Sequence, residues 1–186
     1  MIKAEIKKLP IIVSNPLRKR IIELQKQVII SCNSKDYTKN EVEKLLVMSN
    51  EGIIFRRGIT NFIATHDNEI IGIASITRNG IILSLFVAPE HQGQSLGQKL
   101  LSCLEVEAKK LDIEHLWLTS SITAKDFFKS FNYKPLVKAK TNGNIPVLVM
   151  SKNLINNKRL EIYIKEVVIS VTYLAYSALF SLKLMK

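Results

Sequence analysis

Residues 82–97 set an apolar strand, a glycine-bearing loop and the opening of a helix in direct succession: Ile-Leu-Ser-Leu-Phe-Val-Ala-Pro-Glu-His-Gln-Gly-Gln-Ser-Leu-Gly. The order matters physically. The first turn of a helix carries backbone N–H groups without partners inside the helix, and the helix dipole adds positive potential there. Gly93 and Gly97 lack Cβ atoms and so let a bulky phosphate approach the backbone. Gln92 and Gln94 offer further side-chain donors. A turn that merely contains two glycines is the alternative for an isolated match. Here an apolar strand enters the loop and a long helix leaves it, which is the context such a loop requires.

The rest of the chain supplies the elements around this unit. Leu17, Ile21, Leu24 and Val28 recur at helical spacing after Pro16 and predict a helix over 17–31. A loop follows at 33–38, then a second helix over 41–48 capped by Thr38 or Asn40. The period then changes. Residues 62–65 and 70–77 read as strands joined at Asp67-Asn68, and Asn79-Gly80 marks a hairpin into the strand Ile81–Val87. Leu96, Leu100, Leu101, Leu104, Ala108 and Leu111 form one face of a long helix. A buried strand over 113–119 and a short aromatic helix over 124–131 come next, with Asn132 as a left-handed terminator. Strands over 133–140 and 146–151 close the sequence of elements, and residues 11–13 are a weak further strand. The order α-α-β-β-β-α-β-α-β-β predicts a mixed α/β domain with a mostly antiparallel sheet flanked by helices.

Charge sharpens the picture only slightly. The formal charge of +11 is concentrated at the two ends: residues 1–50 hold ten Lys/Arg against five Asp/Glu, whereas residues 51–100 are neutral. Such a surplus favours anionic partners in general, and a solvated basic surface is the plainer reading. No zinc-ligand spacing or aromatic-glycine signature points to nucleic acid, and none is expected as a partner. Cys32 and Cys103 lie far apart and read as free thiols of a reducing cytoplasm. The N-terminus has no continuous apolar run of a secretory signal.

Gln92-Gly93-Gln94-Ser95-Leu96-Gly97 resembles the acetyl-CoA-binding signature Gln/Arg-x-x-Gly-x-Gly/Ala of the GNAT (general N-acetyltransferase) superfamily. Leu85-Phe86-Val87-Ala88-Pro89 is similar to the strand that enters that loop in the family. Three further segments match in order: 120–128 beside the pantetheine arm, Phe131-Asn132-Tyr133 where a Gly-Phe pair is usual, and 149–154 as the closing strand. The resemblance spans roughly residues 15–154 and implies an acyltransferase domain over 1–154. It implies direct attack of an amine on the acetyl thioester in a ternary complex. The donor acetyl-CoA would be held by Leu85, Phe86 and Val87 on the strand, by Gln92, Gly93, Gln94, Ser95, Leu96, Gly97 and Gln98 around the loop, and by Ser121 and Phe128 beside the arm. Strand Ile81–Val87 would splay from 113–119, and the N–H of Phe86 or Val87 would polarise the thioester carbonyl. Tyr37, on the loop between the first two helices, is a candidate substrate contact or a packing residue. No metal is implied.

Three departures from the family pattern bear on the chemistry. Ser95 stands at the signature's first glycine, and helical dihedrals there would make a serine inexpensive. Phe128 stands where many members carry a tyrosine that protonates the departing thiolate; Tyr133 is a weak substitute. No general base stands out: Ser84 is the only polar side chain on Ile81–Val87, Glu90 lies beyond the loop's proline, and His66, His91 and His115 are isolated in sequence. The catalytic acid and base and the acceptor amine are therefore unassigned. The alternative to an active enzyme is a GNAT-like acyl-CoA-binding regulatory or interaction module of weak or no activity.

Residues 155–186 continue past the resemblance as an extension. Residues 167–182 carry no charge, a run shorter than the roughly 20 residues of a spanning helix. Glu166, Ser170, Tyr173 and Ser177 fall on one side of a helix. An amphipathic helix that packs on the domain or a second copy is expected, with peripheral membrane contact through 160–186 as the runner-up.

Overall fold

The structure is a computed structural model and describes residues 3–50, 53–141 and 143–155. The described elements run β1 (Glu5–Lys8), α1 (Asn15–Val28), α2 (Lys39–Asn50), β2 (Ile59–His66), β3 (Glu69–Thr77), β4 (Ile81–Val87), α3 (Leu96–Lys110), β5 (His115–Ser120), α4 (Lys125–Ser130), β6 (Lys134–Lys140) and β7 (Pro146–Asn153). The strands form a seven-stranded sheet in the order β1-β2-β3-β4-β5-β7-β6. Every neighbouring pair is antiparallel except β4 and β5, which run parallel.

The middle of the sheet is covered on both faces. Residues 71–76 of β3 are buried without alternation, as expected of a strand packed on each side. Gly72 faces α3: a Cβ there would sit 2.8 Å from Leu100 Cδ1. Helix α3 buries Leu96, Leu100, Leu101, Leu104 and Ala108 on the face that its spacing announced. Helix α1 packs against β3 and β4 too, and so takes the opposite face, on which Ile71, Ile73 and Ser75 lie.

Local chemistry explains the boundaries. Pro16 fits the first turn of α1, where an N–H would have no partner. After Val28 the helix widens into a π-helical turn over Ile29–Asn33 in place of the regular helix predicted to 31. Thr38 caps α2 in a capping box: the Glu41 N–H donates to Thr38 Oγ1 (3.3 Å), and the Thr38 N–H donates to Glu41 Oε2 (2.8 Å). Asn132 takes φ 66°, the left-handed conformation expected after α4.

One strand differs from expectation. The first strand is Glu5–Lys8, not 11–13, and Ile11 and Ile12 are 82% and 83% exposed. Strand β1 is an edge strand with one apolar residue among charges, a composition that discourages sheet-to-sheet association and erases the alternation signal. It is tied down through Lys8 Nζ, which donates to the buried Glu107 of α3 at 2.5 Å.

The chain divides into two units, Met1–Leu154 and Ile155–Lys186, and the fold above belongs to the first. The predicted C-terminal helix and its dimer or membrane contacts lie outside the described residues. Among the described residues no helix is long and apolar enough to cross a membrane.

Candidate active site

Strand β4 is paired on both sides at one end and on one side at the other. Ile81 and Ile82 pair with Trp117 and Leu118 of β5, and the pairing stops there. Gly80 makes this junction possible. It sits at φ 83°, its carbonyl accepts the Trp117 N–H at 2.9 Å, and a Cβ would meet the His115 carbonyl oxygen at 2.4 Å. Opposite β3, the register slips between the pairs Ser75–Ser84 and Ile76–Ile82, which makes Leu83 a bulge. A bulge increases local twist and turns the strand away from a neighbour. From Leu83 onward the β5 side of β4 is open, as the predicted splay requires.

The alternation of an antiparallel ladder decides which backbone groups face that gap. The Ala88 N–H donates to the Ile71 carbonyl at 2.9 Å, so residues 86 and 84, at successive steps of two, also direct their backbone groups toward β3. Leu85 and Val87 then present N–H and C=O on the open side. The Val87 carbonyl is met there by Gln92 Nε2 at 3.0 Å. Of the two N–H groups expected to reach a thioester, that of Phe86 is turned into the sheet and that of Val87 is not. The N–H of Leu85 joins it.

The loop adjoins the open end of β4. Gly93 has φ 71°, and a Cβ built on it would meet nothing within 4 Å, so its backbone borders open space. Ser95 corrects the expectation of helical dihedrals: it lies at φ 63°, ψ 9°, in the left-handed region, as the residue that caps α3. A side chain there costs about 1–2 kcal/mol relative to a right-handed conformation. The first bond into α3 runs from the Lys99 N–H to the Ser95 carbonyl (3.1 Å), so the N–H groups that precede it point ahead of the helix. Gly97 serves packing, since a Cβ there would press the Phe127 ring at 3.2 Å. The side-chain amides of the two glutamines are bonded within the protein. Gln92 Nε2 donates to Val87 O and to Cys32 Sγ (3.2 Å), and Gln94 Nε2 donates to the Glu90 carbonyl (3.2 Å). They brace the loop, while Leu96 is buried beneath it and Gln98 is exposed.

The remaining candidates sit on other elements. Phe128 is buried, in edge contact with Phe127 (5.2 Å between ring centres) and Tyr133 (5.6 Å). Tyr133 donates its proton to Glu105 Oε1 at 3.2 Å, and burial, with the nearby carboxylate, pushes its pKa far above the ordinary tyrosine value. That proton is committed to α3. Ser121 Oγ accepts the Ala124 N–H (3.2 Å) at the entrance of α4. Tyr37 is buried, its hydroxyl donating to the Pro146 carbonyl and accepting the Ile122 N–H, each at 2.9 Å. It thus laces the loop before α2 to the start of β7 and to the segment after β5. Asp36 adds a second tie there, accepting from Thr123 Oγ1 at 2.7 Å. His66 and His91 meet edge to face at 6.1 Å, whereas His115 opens β5.

A family model described as the acetyltransferase (GNAT) domain matches residues 33–154, well over half of the chain. The chain belongs to the GNAT family. A search of curated proteins returned no match. Among solved structures, the GCN5-related N-acetyltransferase from Rhodopseudomonas palustris superposes with a TM-score of 0.72 at 21% identity, over 81% of this chain and 95% of that one. The PaiA N-acetyltransferase from Thermoplasma acidophilum, solved in complex with coenzyme A, gives 0.62 at 20% identity over 82% and 99%. The ribosomal-protein-S18-alanine N-acetyltransferase from Escherichia coli gives 0.58 at 16% over 84% and 98%. At these identities the likeness is one of fold, and the GNAT fold is what the seven-stranded sheet with its splayed β4 and β5 reproduces.

Proposed function

We propose that this GNAT domain transfers an acetyl group from acetyl-CoA to an amine by direct attack within a ternary complex. The observation that carries the reading is the open edge of β4 running into a left-handed loop at the N-terminus of α3. A pyrophosphate is suited to the N–H groups of residues 93–97, where the helix dipole and the bare backbone of Gly93 favour an anion. The arm of the donor would continue along β4. Val87 lies next to the loop and Leu85 lies two residues deeper, about 7 Å further along an extended strand. The thioester is the end of the arm farthest from the pyrophosphate, so the Leu85 N–H is the one placed to polarise its carbonyl, and Val87 serves the arm. Removing one such donor typically costs about 10²–10³-fold in turnover.

The protein's larger contribution is to hold the two reactants together, since well-oriented effective molarities reach about 10⁵–10⁸ M. The amine nitrogen forms the new bond to the acetyl carbon, the thiolate departs, and the nitrogen loses a proton. Phe128 donates no proton, so water protonates the thiolate, at a loss of about 10²–10⁴-fold relative to a positioned acid. Free cysteines at positions 32 and 103 suit a reducing cytoplasm. The coenzyme A-bound state of the Thermoplasma relative supports the choice of donor.

A panel of amines with thiol-release detection tests the reading, and acceptor-dependent coenzyme A production is the expected result. Phe128 favours one second reading, an acyl-CoA-binding module without turnover. Binding of coenzyme A with no amine raising thiol release above buffer would establish that module and sink the enzyme.

A further inference from the structure

The face of the sheet opposite α3 carries a buried polar chain that crosses three strands. Asn61 Nδ2 on β2 donates to the Ile54 carbonyl at 2.7 Å. Ser75 Oγ on β3 donates to Asn61 Oδ1 at 2.6 Å, and Ser84 Oγ on β4 donates to Ser75 Oγ at 2.8 Å. The three side chains are 5%, 0% and 5% exposed, on strands whose other buried side chains are mainly isoleucine and alanine. Burying hydroxyls in such a place is unfavourable unless each is satisfied.

The direction of the chain is forced. The Ile54 carbonyl can only accept, so the amide nitrogen of Asn61 faces it and Oδ1 faces Ser75. Oδ1 can only accept, which commits the single hydroxyl proton of Ser75. Ser75 must then accept, which commits the proton of Ser84. Ser84 Oγ is left with lone pairs and no hydrogen to offer. Among the described residues no donor reaches it.

Its position gives this polarity a use. Ser84 follows the Leu83 bulge on the unpaired stretch of β4 and adjoins Leu85, whose N–H faces the gap. Its side chain shares a face with Ser75, away from the α3 side that carries the pyrophosphate loop. Helix α1 covers this face and leaves Ser84 5% exposed, so the approach to its oxygen is the open side of β4.

We infer that Ser84 is a positioning residue for the acceptor: its oxygen, fixed as an acceptor by Ser75 and Asn61, takes a hydrogen bond from an N–H of the attacking amine. The inference rests on the acetyltransferase reading. It explains how the strand nearest the thioester can orient an amine without carrying a carboxylate or histidine. It also predicts discrimination in favour of groups that present N–H and against those that present only an oxygen acceptor.

Steady-state kinetics of the full chain with the best amine of the panel test it. Ser84→Ala should raise the KM for the amine about 3–10-fold and leave the KM for acetyl-CoA within twofold. Ser75→Ala frees the Ser84 proton and should weaken the amine in the same direction while leaving that oxygen in place. Ser84→Thr keeps a hydroxyl and should recover most of the loss. Should Ser84→Ala fail to fold, Ser75→Ala carries the test. An unchanged amine KM in the folded variants, with only a lower melting temperature, would make the chain structural and overturn the inference alone. No turnover by the unaltered chain with any amine would overturn it together with the acetyltransferase reading.

Discussion

Along the open edge of β4 and the loop before α3, the groups that the proposed donor would meet belong to the backbone. The N–H groups of residues 93–97, with those of Leu85 and Val87, are aimed by two left-handed residues and a bulge, and Gln92 and Gln94 only brace them. On the face opposite α3 polarity comes from side chains drawn from distant parts of the chain. Asn61, Ser75 and Ser84 come from three strands, and beyond that face Tyr37, on the loop before α2, reaches 85 residues forward to Ile122 and 109 to Pro146. The difference teaches how one scaffold can keep its donor fixed and vary its acceptor. Backbone amides tolerate many sequences, whereas on the proposed reading each substitution on the other face would change what is recognised.

The comparison breaks most completely at Gly80, where both sides depend on the paired end of β4. Gly80→Val adds a Cβ 2.4 Å from the His115 carbonyl at a positive φ, and should destabilise the fold by about 3 kcal/mol or more in chemical denaturation. Tyr37→Phe probes the side-chain face. It strips partners from the Pro146 carbonyl and the Ile122 N–H and should cost about 1–3 kcal/mol, with coenzyme A affinity much less affected than the KM of the amine. Phe128→Tyr restores a hydroxyl at the position where the family keeps its acid, and kcat should rise about tenfold or more with little change in either KM. Ser95→Gly is the mildest change and acts only on the donor side. It relieves a left-handed side chain and should stabilise the protein by about 1 kcal/mol while preserving coenzyme A affinity. Weaker coenzyme A binding in Ser95→Gly would show that the serine hydroxyl, and not the backbone alone, holds the phosphate.

The same contrast governs what could be read in the sequence. Strand β4, the loop and α3 are contiguous, and their signals are local: an apolar run, glycines, a helical stripe. Strand Ile81–Val87 was predicted to the residue. Strand β1 lies six residues before the expected 11–13 because its single apolar residue gives no alternation, while the exposed Ile11-Ile12 pair imitates one. Ser95 departs from expectation because a position at a helix entrance predicts right-handed dihedrals, and the loop imposes a left-handed one. Ser84 was visible as the one polar residue of its strand. Its partners were not, since Asn61 and Ser75 meet it only through the register of three strands. A serine inside the isoleucine-rich run of 70–77 was the signal available.

Hydrogen exchange of the backbone amides of residues 93–97, with and without coenzyme A, tests the central claim most directly. Those amides should exchange more slowly when coenzyme A is bound, together with Leu85 and Val87, while Phe86, already bonded within the sheet, changes little. Saturating coenzyme A that leaves residues 93–97 unprotected and slows exchange elsewhere would contradict the account.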